Sequence, residues 1–131
     1  FSPDGRQLLT ASDDSTAKLW CAASGECLRT FEGQGAAVYS AAFSPDGRQL
    51  LTAAADCTTK LWCAASGACL RTLLGHEAPV VSAAFSPDGH ELLTASRDGT
   101  AKLWCAASGE CLRTLEGRGV RLTSATFSPE G

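Results

Sequence analysis

The sequence predicts an all-β protein: three four-stranded antiparallel units laid along the chain in offset register. Three observations predict it. First, Phe-Ser-Pro-Asp-Gly opens at residues 1, 43 and 85 and returns as Phe-Ser-Pro-Glu-Gly at 127, a period of 42 residues without insertion. A period of that size marks a repeat architecture, in which each unit buries its faces against its neighbours. Second, short apolar runs recur within each repeat, separated by turn signals every ~8–12 residues. Third, Gly and Pro recur too densely for helices of ordinary length. Residues 1–42, 43–84 and 85–126 are then three repeats, and 127–131 starts a fourth.

The third repeat justifies each element in turn. Residues 79–85 are short, apolar and partly alternating, and read as a first strand. Ser86-Pro87-Asp88-Gly89 is a turn: Pro presets φ, Asp bonds its own backbone, and Gly takes positive φ. Residues 91–96 are a second strand, and Arg97-Asp98-Gly99 turns the chain back as a hairpin. Residues 100–104 alternate and form a third strand ending in Lys-Leu-Trp. Ala106-Ala107-Ser108-Gly109 is a loop, and residues 110–115 are a fourth strand before Gly117 breaks the pattern.

Four short antiparallel strands per repeat make one blade of a β-propeller. The chain begins at the end of a first strand and stops at the end of another. It is therefore expected to hold strands two to four of one blade, two whole blades, and a lone first strand over residues 121–127, twelve strands in all. Propellers close with about four to eight blades. An array of three is expected to stay open unless other blades of a longer parent chain, or other copies, complete it. Two copies would bring six.

Composition excludes several classes. Net charge is −3, from 11 basic and 14 acidic residues, and no basic stripe suits a phosphate backbone, so nucleic acid is excluded as the main partner. No apolar run approaches the ~18 residues of a membrane helix, and no signal segment opens the chain. A hydrophobic content of 44% suffices for a core. The sequence has no Met, which reads as a fragment, a processed product or a trimmed chain, and no Asn, hence no N-glycosylation acceptor.

Six of the seven Cys are repeat copies, Cys21/Cys63/Cys105 and Cys27/Cys69/Cys111, with Cys57 the odd one. The Cys-x5-Cys spacing has no nearby His and is poor zinc geometry. Reduced thiols serving as small apolar residues are expected, with a Cys21–Cys27 type bridge across one hairpin as the alternative. A reducing, cytoplasmic setting follows, with no metal and no cofactor.

The Lys-Leu-Trp that ends each third strand, together with Gly75-His76, resembles the WD-repeat β-propellers, and the resemblance runs the length of the chain. It implies a hydrogen-bonded structural tetrad of His, Ser or Thr, Asp and Trp. The family places His 22 residues before the Asp, Thr 4 before it and Trp 6 after it; His76, Thr94, Asp98 and Trp104 meet all three offsets. Partial sets are Thr52, Asp56 and Trp62, with Gln34 at the His position, and Thr10, Asp14 and Trp20. Arg118 stands at the next His position, and the Asp that follows the family's Trp is Cys in all three repeats.

The resemblance also implies a partner-binding face. Repeats vary most at the loop entering the first strand and at the turn before the third, and these connections share one end of a blade. Carried over by position, the family's contact sites are Asp13; Ala37, Tyr39 and Ala55; Pro79, Val81 and Arg97; Arg121 and Thr123. Tyr39, Arg97 and Arg121 stand out, because aromatic and Arg side chains dominate interface hot spots; the two Arg favour an acidic partner. His90 replaces Arg6 and Arg48 on an exposed turn.

The expected function is a non-catalytic scaffold binding a protein or peptide. The alternative is a self-assembling structural module of amplified or designed repeats. Less favoured is the propeller part of a larger enzyme or regulatory sensor, since no nucleophile–base–orienter set recurs and no catalytic residue is assigned.

Overall fold

The structure, a computed structural model, describes residues 1–32, 35–117 and 121–130. Among them eleven strands follow one another: β1 (Gln7–Ala11), β2 (Ala17–Cys21), β3 (Cys27–Phe31), β4 (Val38–Phe43), β5 (Gln49–Ala54), β6 (Thr59–Cys63), β7 (Cys69–Leu73), β8 (Val80–Phe85), β9 (Glu91–Ser96), β10 (Thr100–Cys105) and β11 (Cys111–Glu116). They build three antiparallel sheets, β1–β2–β3, β4–β5–β6–β7 and β8–β9–β10–β11. The arrangement is all-β, with sheets of three or four strands as in open propeller blades.

One detail differs from expectation. The first sheet has the three strands expected of it, but residues 121–128 carry no strand, so eleven are observed among the described residues rather than twelve. A strand exists through its ladder partner, and the segment has no second strand beside it. It nonetheless starts where an inner strand starts: Leu122 N–H donates to the Ser96 carbonyl at 3.3 Å, as Val38 N–H donates to Ser12 two periods earlier at 2.9 Å.

The recurring Phe-Ser-Pro-Asp-Gly phrase is a self-contained turn. The Ser2 hydroxyl donates to Asp4 at 2.6 Å and accepts Gln7 N–H at 2.9 Å, while Gly5 N–H returns to the Ser2 carbonyl. Ser44 with Asp46 and Ser86 with Asp88 repeat it. Gly47 sits at φ +74°, where a Cβ would be strained.

The core lies between sheets. Leu19 and Phe31 meet Leu50 and Trp62 across the first gap; Leu61 and Leu73 meet Leu92 and Trp104 across the second. Phe31 stands edge-on to Trp62 with ring centroids 5.5 Å apart. Each buried Leu is worth about 1.5–3 kcal/mol, so the stacking of sheets carries most of the stability. An Arg clasp fixes it at the rim. Arg29 donates from Nη1 to the Ser66 carbonyl at 2.9 Å and from Nη2 to Ala65 at 2.7 Å. Arg71 reaches the Ser108 carbonyl at 2.8 Å and that of Ala107 in the same way. At Gly109 a Cβ would lie 2.9 Å from Arg71 Cδ, so the turn needs glycine there for space as well as for φ.

Candidate functional site

The variable connections meet at one end of the sheets, and backbone hydrogen bonds hold them together. Ala55 N–H donates to the Ala37 carbonyl at 2.9 Å, and Arg97 N–H to that of Pro79 at 3.0 Å. The turn before each third strand is thereby fixed against the loop that enters the first.

The inner strands are bulged at this point. The β4–β5 register jumps between Val38 and Ser40, and the β8–β9 register between Val80 and Ser82, leaving Tyr39 and Val81 as the extra residues. A bulge re-aims a side chain out of the two-residue alternation. Tyr39 is 38% exposed in consequence. Arg97, exposed on the next sheet, sets its guanidinium carbon 5.3 Å from the Tyr39 ring centroid. A cation over a tyrosine face is an attractive pair worth about 0.5–1 kcal/mol at an exposed site.

Of the other expected contact positions, Asp13, Arg121 and Thr123 are exposed and Pro79 and Val81 half-buried. No hydrogen bond or ring contact joins Asp13, Arg121 or Thr123 to Tyr39 or Arg97 among the described residues. Gln34 and Arg118 lie outside the described residues.

Beneath this face His76, 8% exposed, bridges two elements. Its Nδ1 is 2.9 Å from Asp98 Oδ2 and its Nε2 is 2.7 Å from the Thr94 hydroxyl, which also accepts Trp104 Nε1–H at 2.9 Å. Asp98 further accepts Glu77 N–H at 3.1 Å, Thr100 N–H at 2.8 Å and the Thr100 hydroxyl at 2.7 Å. Burial alone would raise its pKa. The Thr100 hydroxyl, His76 and the two backbone N–H groups outweigh that and hold the carboxyl well below the usual range. In the other sheets Trp62 donates to Thr52 and Trp20 to Thr10, each at 2.9 Å, while Asp56 and Asp14 accept from Thr58 and Thr16.

Comparing repeats for variation overlooks groups that never vary. The Arg clasp is one, its signal being the Arg29/Arg71/Arg113 period itself. The Cys after each Trp is another. All seven cysteines are free thiols. The Ser24 hydroxyl, then the Ser24 and Ala23 N–H groups, point at the Cys21 thiol and pull it below its ordinary range; Ser66 and Ser108 do the same for Cys63 and Cys105.

At the narrow inner end, a cleft of about 620 Å³ is lined by Phe43, Pro45, Phe85, Pro87 and Phe127 among others, without an acidic, basic or thiol side chain. No group of three His, Cys, Asp or Glu among the described residues is placed to hold a metal.

The repeat model described as "WD domain, G-beta repeat" matches residues 1–21, 25–63 and 67–105. The chain is 47% identical over 38 residues to WD repeat-containing protein 86 of Homo sapiens, covering 29% of this chain and 10% of that one. It is 43% identical over 37 residues to F-box/WD repeat-containing protein 7 of Drosophila melanogaster, covering 28% of this chain and 3% of the relative. It thus spans a tenth or less of the curated relatives it matches.

Proposed function

The chain belongs to the WD-repeat family, and from that premise we propose that it is a non-catalytic protein-interaction module whose bulged loop face binds an acidic segment of a partner protein. WD-repeat proteins generally serve as interaction modules rather than enzymes, which supports the class. The Tyr39–Arg97 pair carries the specific reading. A Tyr set out of its strand by a bulge and an Arg from the next sheet form an exposed, pre-positioned anchor. Tyr and Arg are the types that dominate interface energetics, and Arg binds carboxylates through a planar fork of donors. His76 and Asp98, the groups most suggestive of acid–base chemistry, are spent on Thr94, Thr100 and the backbone. The exposed thiols Cys27, Cys69 and Cys111 fit a reducing, cytoplasmic setting.

Panning a random peptide library on the immobilised chain tests this. Acidic sequences should be enriched and should bind less tightly as salt rises. Tyr39→Ala and Arg97→Glu should each weaken the selected peptide at least ~10-fold. His90→Ala, on an exposed turn at the opposite end of its sheet, should leave binding unchanged. No enrichment, or binding retained in both face variants, sinks the reading.

A further inference from the structure

Each third strand ends in a cysteine, and the same backbone contacts set what stands around it. Cys63 N–H donates to the Ala68 carbonyl at 2.8 Å, Ala64 N–H donates to the Arg48 carbonyl at 2.9 Å, and Gln49 lies directly opposite Cys63 in the β5–β6 ladder. At Cys105 the same contacts bring Glu110 and His90, each at 2.9 Å, and Glu91 lies opposite in the β9–β10 ladder. The geometry is shared and the charges are not. Cys63 stands among Arg48, Gln49 and Ala68, whereas Cys105 stands among His90, Glu91 and Glu110. Each of the three exchanges leaves Cys105 in the more negative setting at neutral pH.

The remaining neighbours cancel between the two copies. Asp46 and Asp88 hold the same place in their turns, bonded to Ser44 and Ser86. Arg29 and Arg71 grip the 63–67 and 105–109 turns through the same pair of carbonyls.

A cleft of about 460 Å³ opens beside Cys63 between the first two sheets. Gln7 and Leu19 line it from one sheet and Arg48, Cys63 and Ala64 from the other, with no acidic side chain. Arg48 is exposed, and its guanidinium makes no hydrogen bond or ion pair among the described residues. Cys63 is half-buried, so its thiol is reachable from the cleft. The Ser66 hydroxyl, then the Ser66 and Ala65 N–H groups, hold that thiol below its ordinary range, and the Arg29 guanidinium adds to them. At Cys105, Glu110 works against the equivalent donors. A partly exposed thiol beside donors and a cation is the setting of a reactive cysteine.

We propose that Cys63 is a thiol-exchange site for small disulfides that carry carboxylates, the class of glutathione disulfide. The Cys63 thiol gives its proton to solvent, and the thiolate sulfur attacks one sulfur of the disulfide. A new S–S bond joins that half to Cys63. The old S–S bond breaks, and the other half leaves with the electron pair as a thiolate. No oxidant beyond the disulfide is consumed. Arg48 attracts the carboxylates, and the cleft holds the half that stays. Cys63 ends its strand at the opposite end of the sheet from the bulged face, so this chemistry is independent of the partner-binding reading.

Labelling kinetics of the 131-residue chain test it. The reduced protein is mixed at neutral pH and low salt with dithiobis-nitrobenzoate, an anionic disulfide, or with cystamine, a cationic one. Fragment-ion mass spectrometry separates Cys63 from Cys69, and Cys105 from Cys111, within their tryptic peptides. The anionic probe should label Cys63 at least ~10-fold faster than Cys105, and the cationic probe should shrink that ratio to ~3-fold or less. Arg48→Glu should slow the anionic probe at Cys63 at least ~5-fold and leave Cys105 unchanged, since exposed charges act over about a Debye length. Glu91→Gln with Glu110→Ala should speed the anionic probe at Cys105. These side chains lie outside the core, so circular dichroism should show every variant folded. Equal rates at Cys63 and Cys105, the same ratio with both probes, or an unchanged Cys63 rate in Arg48→Glu overturns the proposal.

Discussion

At Asp98 the cost of desolvating a carboxylate is outweighed by four donors: the Thr100 hydroxyl, His76, and the N–H groups of Glu77 and Thr100. The folded-state pKa lies below the ordinary value of 3.8, so the stabilisation is fully present above that value. It is lost as pH falls through the lower folded value. Asp98→Asn should cost about 2 kcal/mol near neutral pH, the scale of orphaning a partner in a buried network. The gap between wild type and Asp98→Asn, followed by urea titration, should narrow below about pH 4; a pH-independent gap would assign the loss to shape instead. The four residues of this network were legible through the resemblance to the WD-repeat family, whose offsets His76, Thr94, Asp98 and Trp104 meet. The roles of Cys21, Cys63 and Cys105 were not, since a thiol's donors become visible only when the turn is folded around it.

Within elements, the strands were legible to within a residue or two from the alternation and the turn phrases. The hairpin joining β5 and β6 is the weakest by the same rules. Cys57 holds φ +73° where the third repeat has Gly99 at +86°. Thr59 buries a hydroxyl without a hydrogen-bond partner, at the position of Ala17 and Ala101. Cys57→Gly relieves left-handed strain and Thr59→Val keeps the shape while removing the orphan; each should stabilise the chain by about 1 kcal/mol. Thermal unfolding checks both, and a lower Tm in either variant contradicts the stated cause. The bulges at Tyr39 and Val81 escaped the sequence pattern. One extra residue in a strand looks the same along the chain whether or not its partner is one residue shorter.

Across the whole molecule, burial is unequal between chemically near-identical repeats. Leu92 and Leu50 are fully buried, while Leu8 at the same position is not, because only the first two have an inner strand and a preceding sheet. Amides of β1 should exchange with deuterium at least ~10-fold faster than those of β5 and β9. Equal protection would mean that the sheets open as one unit rather than as stacked neighbours.

The sequence by itself determined the period, the strands and the turns, which depend on interactions within about a dozen residues or on repetition; the tetrad residues it offered through the family resemblance. Only the tertiary structure decided that Tyr39 meets Arg97, that Arg29 and Arg71 clasp the next turn, and that Leu115 lies bare where Phe31 and Leu73 are covered. Those facts depend on how one sheet stacks on another. Identical repeats write the same residues into every blade and leave their partners to be set by what stands on either side.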